Sequence, residues 1–169
     1  VFDVYAHPPG LRDKLVGELG EFPFPSFWGP RAGLPSSQWI ADSARWVEEQ
    51  EQPDLNLVYL PHLDYGLQRW GPDASEMGVE FEAIDRLVDE LISFFVKRGV
   101  EVVLLSEYGI SKVRKPVHLN RVFRDKGWIQ IKNELGLELL DAGASRAFAV
   151  ADHQVCLLYT SPSPRDSSK

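Results

Sequence analysis

The chain has 169 residues, 44% apolar and 25% charged, which suits one globular domain or a large part of one. A net charge of −7 argues against a surface that coats nucleic acid, and no apolar run reaches the roughly 18 residues a membrane span requires. The only cysteine is Cys156, so the rest of the chain has no disulfide and no thiolate metal ligand, which is compatible with a reducing compartment.

In chain order, residues 10–19 read as a brief helix, followed by the Pro- and aromatic-rich loop FPFPSFWGP at 22–30, where the prolines forbid a regular element. Ser36 or Ser37 is a helix-capping type. It leads a helix to about Gln50 that buries Trp39, Ile40, Ala44 and Val47, with Pro53 closing it. Residues 55–60 (LNLVYL) are short, apolar and bounded by turn residues, as expected of a strand buried on both faces. A polar loop is expected from there to Gly78. Between Gly78 and Arg98 the apolar residues Phe81, Ile84, Leu87, Val88, Leu91, Ile92 and Phe95 recur at spacings of three and four, which predicts an amphipathic helix stopped by Gly99.

Residues 100–105 (VEVVLL) complete a βαβ unit with parallel strands. A helix near 118–126 and short strands near 128–131 and 146–151 follow, giving an expected three-layer α/β/α sandwich with a mainly parallel sheet. Each strand of the βαβ unit is followed by a carboxylate, Asp64 after the first and Glu107 after the second. Parallel strands bring such ends to one sheet edge, where open α/β folds build their sites. Two carboxylates held together repel unless they share a proton or a cation, so the placement points to a metal.

The segment LVYLPHLDYGLQRWGP at 57–72 and the segment LLSEYGI at 104–110 carry a resemblance. They are similar to the alkaline-phosphatase superfamily, in its type I phosphodiesterase/nucleotide pyrophosphatase branch. The usual forms there are Pro-Asp-x-x-Gly-His-x-x-Gly-Pro and Ser-Asp-His-Gly-Met, each after a strand. The resemblance covers residues 53–110 and implies metal-dependent hydrolysis of a small phosphate ester by a longer protein. It also implies a hydroxyl nucleophile upstream of Val1 and a further His ligand downstream of Val155. The runner-up readings are a non-catalytic binding or scaffolding member of the same fold and a phosphomutase or sulfatase relative.

Position by position, the resemblance implies metal ligands at Asp64, Gln68, Glu107 and Tyr108. Only Asp64 keeps the family's residue; Glu107 stands for an Asp, and Gln68 and Tyr108 stand for His. Zinc, the family's metal, prefers imidazole, carboxylate or thiolate, whereas four oxygen donors suit magnesium, manganese or iron. Without a metal, Asp64 and Glu107 would read as loop-capping carboxylates, and Gln68 and Tyr108 as hydrogen-bonding or packing residues.

His62, His118 and His153 are candidate sources of a missing imidazole, with Asp152 beside the last; each is otherwise a structural hydrogen-bonder. Arg69, Arg114 and Lys115 could fork onto a phosphate, against the plainer reading of solvated charges. Trp70, with Gly71 and Pro72, reads as a rigid wall of its loop. At the ends, Val1 is not a Met and no secretion signal follows it, which reads as a cut. The eleven residues CLLYTSPSPRD, from Cys156 to Asp166, match the translation of a transposase sequencing adapter. The expected organisation is therefore a partial phosphodiesterase-like domain over residues 1–155 and a non-native tail over 156–169 that packs against nothing.

Overall fold

The computed structural model describes residues 3–152 and 155–160. It divides into two compact units, Val1–Lys112 and Val113–Lys169.

The first unit is built on four helices, α1 (Leu11–Leu19), α2 (Leu34–Glu51), α3 (His62–Trp70) and α4 (Met77–Lys97). In α2, Pro35 occupies the first turn, where its missing N–H would have had no helical partner in any case. The helix therefore starts before the serines expected to cap it. Ser36 is instead buried in the first turn and donates to the carbonyls of Ser26 and Gly33, tying the aromatic loop to the helix. That loop contains two 3-10 turns, Phe24–Ser26 and Gly29–Arg31, and packs Phe22 edge-on against Phe24, Phe27 and Trp39.

Ala41 of α2 and Leu87, Leu91 and Phe95 of α4 form the core, with Leu34, Ala44, Val58, Leu60, Ile84 and Val100 around them. Each fully buried Leu or Phe contributes about 1.5–3 kcal/mol. The apolar spacing of α4 is thus the main adhesive of this unit. Glu48, buried at the end of α2, accepts a hydrogen bond from Asn56 Nδ2 at 2.8 Å and lies 3.7 Å from Arg98 Nε. It joins α2, residues 55–60 and the end of α4.

Residues 55–60 and 100–105 run extended but form no ladder: among the described residues, no backbone hydrogen bond links 55–60 or 101–105 to another backbone group. The expectation of burial on both faces also fails. Val58 and Leu60 pack on the helices, while Leu55, Leu57 and Tyr59 alternate with them and point into solvent. Val103, Leu104 and Leu105 are exposed as well. A cavity of about 210 Å³ lies between the two segments, floored by Val88, Leu91 and Ile92. Nothing among the described residues covers the outer side, so half of the apolar pattern of 55–60 and most of that of 100–105 is left exposed. The stretch expected as a polar loop is helical over α3, ending at Gly71 with φ +82°, where glycine alone avoids strain.

The second unit holds α5 (Leu119–Asp125) and four strands, β1 (Gln130–Glu134), β2 (Leu137–Asp141), β3 (Ala147–Asp152) and β4 (Val155–Thr160). They pair as two antiparallel two-stranded sheets, β1 with β2 and β3 with β4. The parallel sheet expected from sequence is not among the described ladders. Asn120 of α5 clamps β3 by donating to the Ala149 carbonyl at 2.8 Å and accepting from the Ala149 N–H at 2.7 Å. Residues 156–160 do not pack against nothing, as expected for the tail, but form most of β4 against β3. Their apolar run is β-prone and lies next to an open strand edge. Tyr159 stacks on Phe148 at 5.0 Å, yet Leu157, Leu158 and Tyr159 stay half exposed and fill no core pocket. Residues 161–169 lie outside the described residues.

Candidate functional site

Asp64 sits in the first turn of α3, where the unpaired N–H groups of a helix start favour a negative charge. Gln68 lies one turn on, on the same face. Its Nε2 donates to Asp64 Oδ2 at 2.9 Å. Tyr108 arrives from the turn after the extended residues 100–105, held by a 2.6 Å bond from Ser106 Oγ to its own carbonyl. Its hydroxyl donates to Asp64 Oδ1 at 2.9 Å. Both carboxylate oxygens of Asp64 are therefore engaged, one from each of the two motif segments.

These bonds set the electrostatics. The Tyr108 phenol is pushed up to about 12, first by the hydrogen bond to Asp64, then by desolvation and by the charges of Asp64, Tyr59 and Glu107. Deprotonation would surrender the bond and place a second negative charge beside the carboxylate. Glu107 is exposed and contributes through that charge; among the described residues it makes no hydrogen bond or ion pair.

The opposite face of α3 is packed. His62, with 2% of its side chain exposed, brings Nε2 to 2.7 Å from Glu80 Oε2 in the first turn of α4. Gly66 lies so near buried Met77 that a Cβ there would sit 3.1 Å from the Met77 sulfur. Arg69 is committed elsewhere, donating to the Pro30 carbonyl at 2.6 Å with its guanidinium 5.1 Å from the Trp70 ring. It serves the aromatic loop.

Of the residues singled out from sequence, Asp64, Gln68 and Tyr108 are brought together. His62 is a packing residue behind them. His118 precedes α5 and Asp152 ends β3, both in the second unit, and His153 lies outside the described residues. Sequence reasoning did not single out Glu80, one of several acids along α4; only its tertiary contact with His62 marks it.

A metal can be tested against this geometry. Asp64, Tyr108 and Gln68 all carry oxygen and meet at the Asp64 carboxylate, a donor type that suits a hard cation such as magnesium or manganese. Gln68 would turn its amide to present Oε1, a rotation that costs little in an exposed side chain. Among the described residues no group of three or more His, Cys, Asp and Glu could hold a metal. The donor set therefore does not fit a tetrahedral zinc built on imidazoles. No helix among the described residues is long and apolar enough to cross a membrane.

The family model for type I phosphodiesterase / nucleotide pyrophosphatase matches residues 2–165. An uncharacterised pyrophosphatase/phosphodiesterase of Schizosaccharomyces pombe is 29% identical over 72 residues, 39% of this chain. The match spans only 15% of the length of that yeast protein. No solved structure matches the chain.

Proposed function

The chain belongs to the type I phosphodiesterase/nucleotide pyrophosphatase family, and from that premise we propose that Asp64, Gln68 and Tyr108, with Glu107 beside them, form part of the site at which the whole protein hydrolyses a small phosphate ester. The observation that carries this reading is the joining of the two motif segments at Asp64 by the Tyr108 and Gln68 hydrogen bonds. A metal ion bound there would supply positive charge for the phosphoryl oxygens and the leaving group. Asp64 would hold it with its anionic side chain, Gln68 and Tyr108 would add neutral oxygen donors, and Glu107 would add negative charge beside them. The nucleophile is a hydroxyl from another part of the whole protein, so residues 1–169 alone are inactive.

The same proposal extends to the fold. Residues 55–60 and 100–105 are read as strands of a parallel sheet within a three-layer sandwich. The bare outer faces and unpaired backbones support this, because further strands and a second helical layer would use both. Residues 156–169 are read as adapter-derived, with β4 an incidental pairing.

The test is turnover of chromogenic phosphodiesters and monoesters by the whole protein with magnesium, manganese, iron or zinc. Metal-dependent cleavage supports the proposal. An intact, folded protein inert toward both ester classes with every ion overturns it. One observation favours the second reading, a binding or scaffolding member: both oxygens of Asp64 are already satisfied by neighbouring side chains.

A further inference from the structure

We infer that His62 and Glu80 are positioning residues for the site, fixing the rotation of α3 about its axis and so the direction in which Asp64 and Gln68 are presented. This deepens, and rests on, the functional reading above. On a helix, positions 62 and 66 fall together, and so do 64 and 68, with about 200° between the two pairs. One face of α3 is thus the back of the site and the other its front.

A nine-residue helix cannot hold itself in water, and no side chain caps the start of α3. Its pose must come from tertiary contacts. The back face offers two: the close approach of Gly66 to Met77, and the 2.7 Å contact between His62 Nε2 and Glu80 Oε2. The first is apolar and slides readily, because a thioether chain is adaptable. The second joins two polar groups at a fixed point on each helix. Its approach angle is off that of a straight hydrogen bond, since Nε2 is left without a geometric partner. What it supplies is a close polar contact, from a side chain with 2% exposure to a carboxylate on the neighbouring helix. His62 Nδ1 is buried and has no partner among the described residues.

The lever arm makes the contact matter. A side-chain atom about 5 Å from the helix axis moves about 2 Å when the helix turns by about 20°. That displacement would break the 2.9 Å bonds from Gln68 and Tyr108 to Asp64. Glu80 is well placed to resist such a turn, being in the first turn of α4, whose lower half is locked into the core by Leu87, Leu91 and Phe95.

The experiment uses His62→Phe, Glu80→Ala and Glu80→Gln in the full chain, with manganese binding measured by calorimetry. It also follows the nuclear Overhauser contact between the Tyr108 ring and the Asp64 side chain in metal-free protein, the pair that the 2.9 Å hydrogen bond brings together. His62→Phe and Glu80→Ala should weaken manganese binding about tenfold, as loss of residues that orient ligands does, and should remove the Tyr108–Asp64 contact. Glu80→Gln, which keeps an oxygen facing Nε2, should stay near the parent in both. Glu80 is one-third exposed, so its replacement opens no core cavity and keeps the test usable if His62→Phe unfolds. Parent-like binding and an intact Tyr108–Asp64 contact in Glu80→Ala, with only thermal stability lowered, would overturn the inference. If the parent chain itself binds no manganese, it is the metal reading that fails. The Tyr108–Asp64 contact then decides the positioning role alone.

Discussion

Tyr108 donates a 2.9 Å hydrogen bond to Asp64 across 44 residues of sequence, from a turn following one extended segment to a helix following another. That bond makes a site out of two motifs. It also makes each residue a reporter of the other.

The first consequence is a titration. In metal-free chain, Tyr108 should ionise near pH 12, read as phenolate absorbance in the ultraviolet, while Asp64→Ala should return it toward the ordinary phenol value of about 10. The sign follows from the raised value. Stability from this bond is complete below the ordinary phenol value and is lost as pH rises through about 12. An unchanged titration in Asp64→Ala would mean the bond is absent in solution.

Metal analysis gives a second prediction. The whole protein should carry a firmly held divalent or trivalent ion, and Asp64→Ala combined with Glu107→Ala should remove it, because the remaining Gln and Tyr donors are neutral. Full metal content in the double variant would direct attention to His118 and His153.

Turnover gives the third. In the whole protein, Asp64→Asn should lower the rate by orders of magnitude, since a neutral amide replaces the one anionic group of the triad. Residues 1–169 should show no turnover with any ion. Diester cleavage by the isolated chain would refute the assignment of the nucleophile to another part of the protein.

The tail supplies the fourth. Ending the chain at Val155 should leave manganese affinity within about twofold, because neither motif segment is touched. Amides of β3 should lose exchange protection as β4 is removed. A large loss of affinity would show that residues 156–169 belong to the working protein.

Much of the first unit was legible because its helices announce themselves by apolar spacing, as α4 does with Leu87, Leu91 and Phe95. What escaped was α3. Residues 62–70 contain a glycine and four polar or charged side chains, and their helical state depends on packing against Met77 and Glu80, which a linear reading does not reveal. Asp64, Gln68 and Tyr108 were legible by motif, but their mutual hydrogen bonds were not, since the approach of Tyr108 is set by the chain between. The β1–β2 hairpin was missed for a local reason: it turns at Leu135 and Gly136, both at positive φ, and leucine is not a residue expected there.

The bare faces of residues 55–60 and 101–105 have a colloidal consequence. Unpaired backbone beside exposed Leu, Val and Tyr is a template onto which another chain can add strand by strand. Against that, the isolated chain has its net charge of −7. Mutual repulsion of this kind reaches about 30 Å at 0.01 M salt but only about 8 Å at physiological ionic strength. Preparations of residues 1–169 should therefore stay dispersed in dilute buffer and precipitate as salt is added, with Leu57→Glu and Leu104→Glu restoring dispersion by placing further negative charge on the open edges.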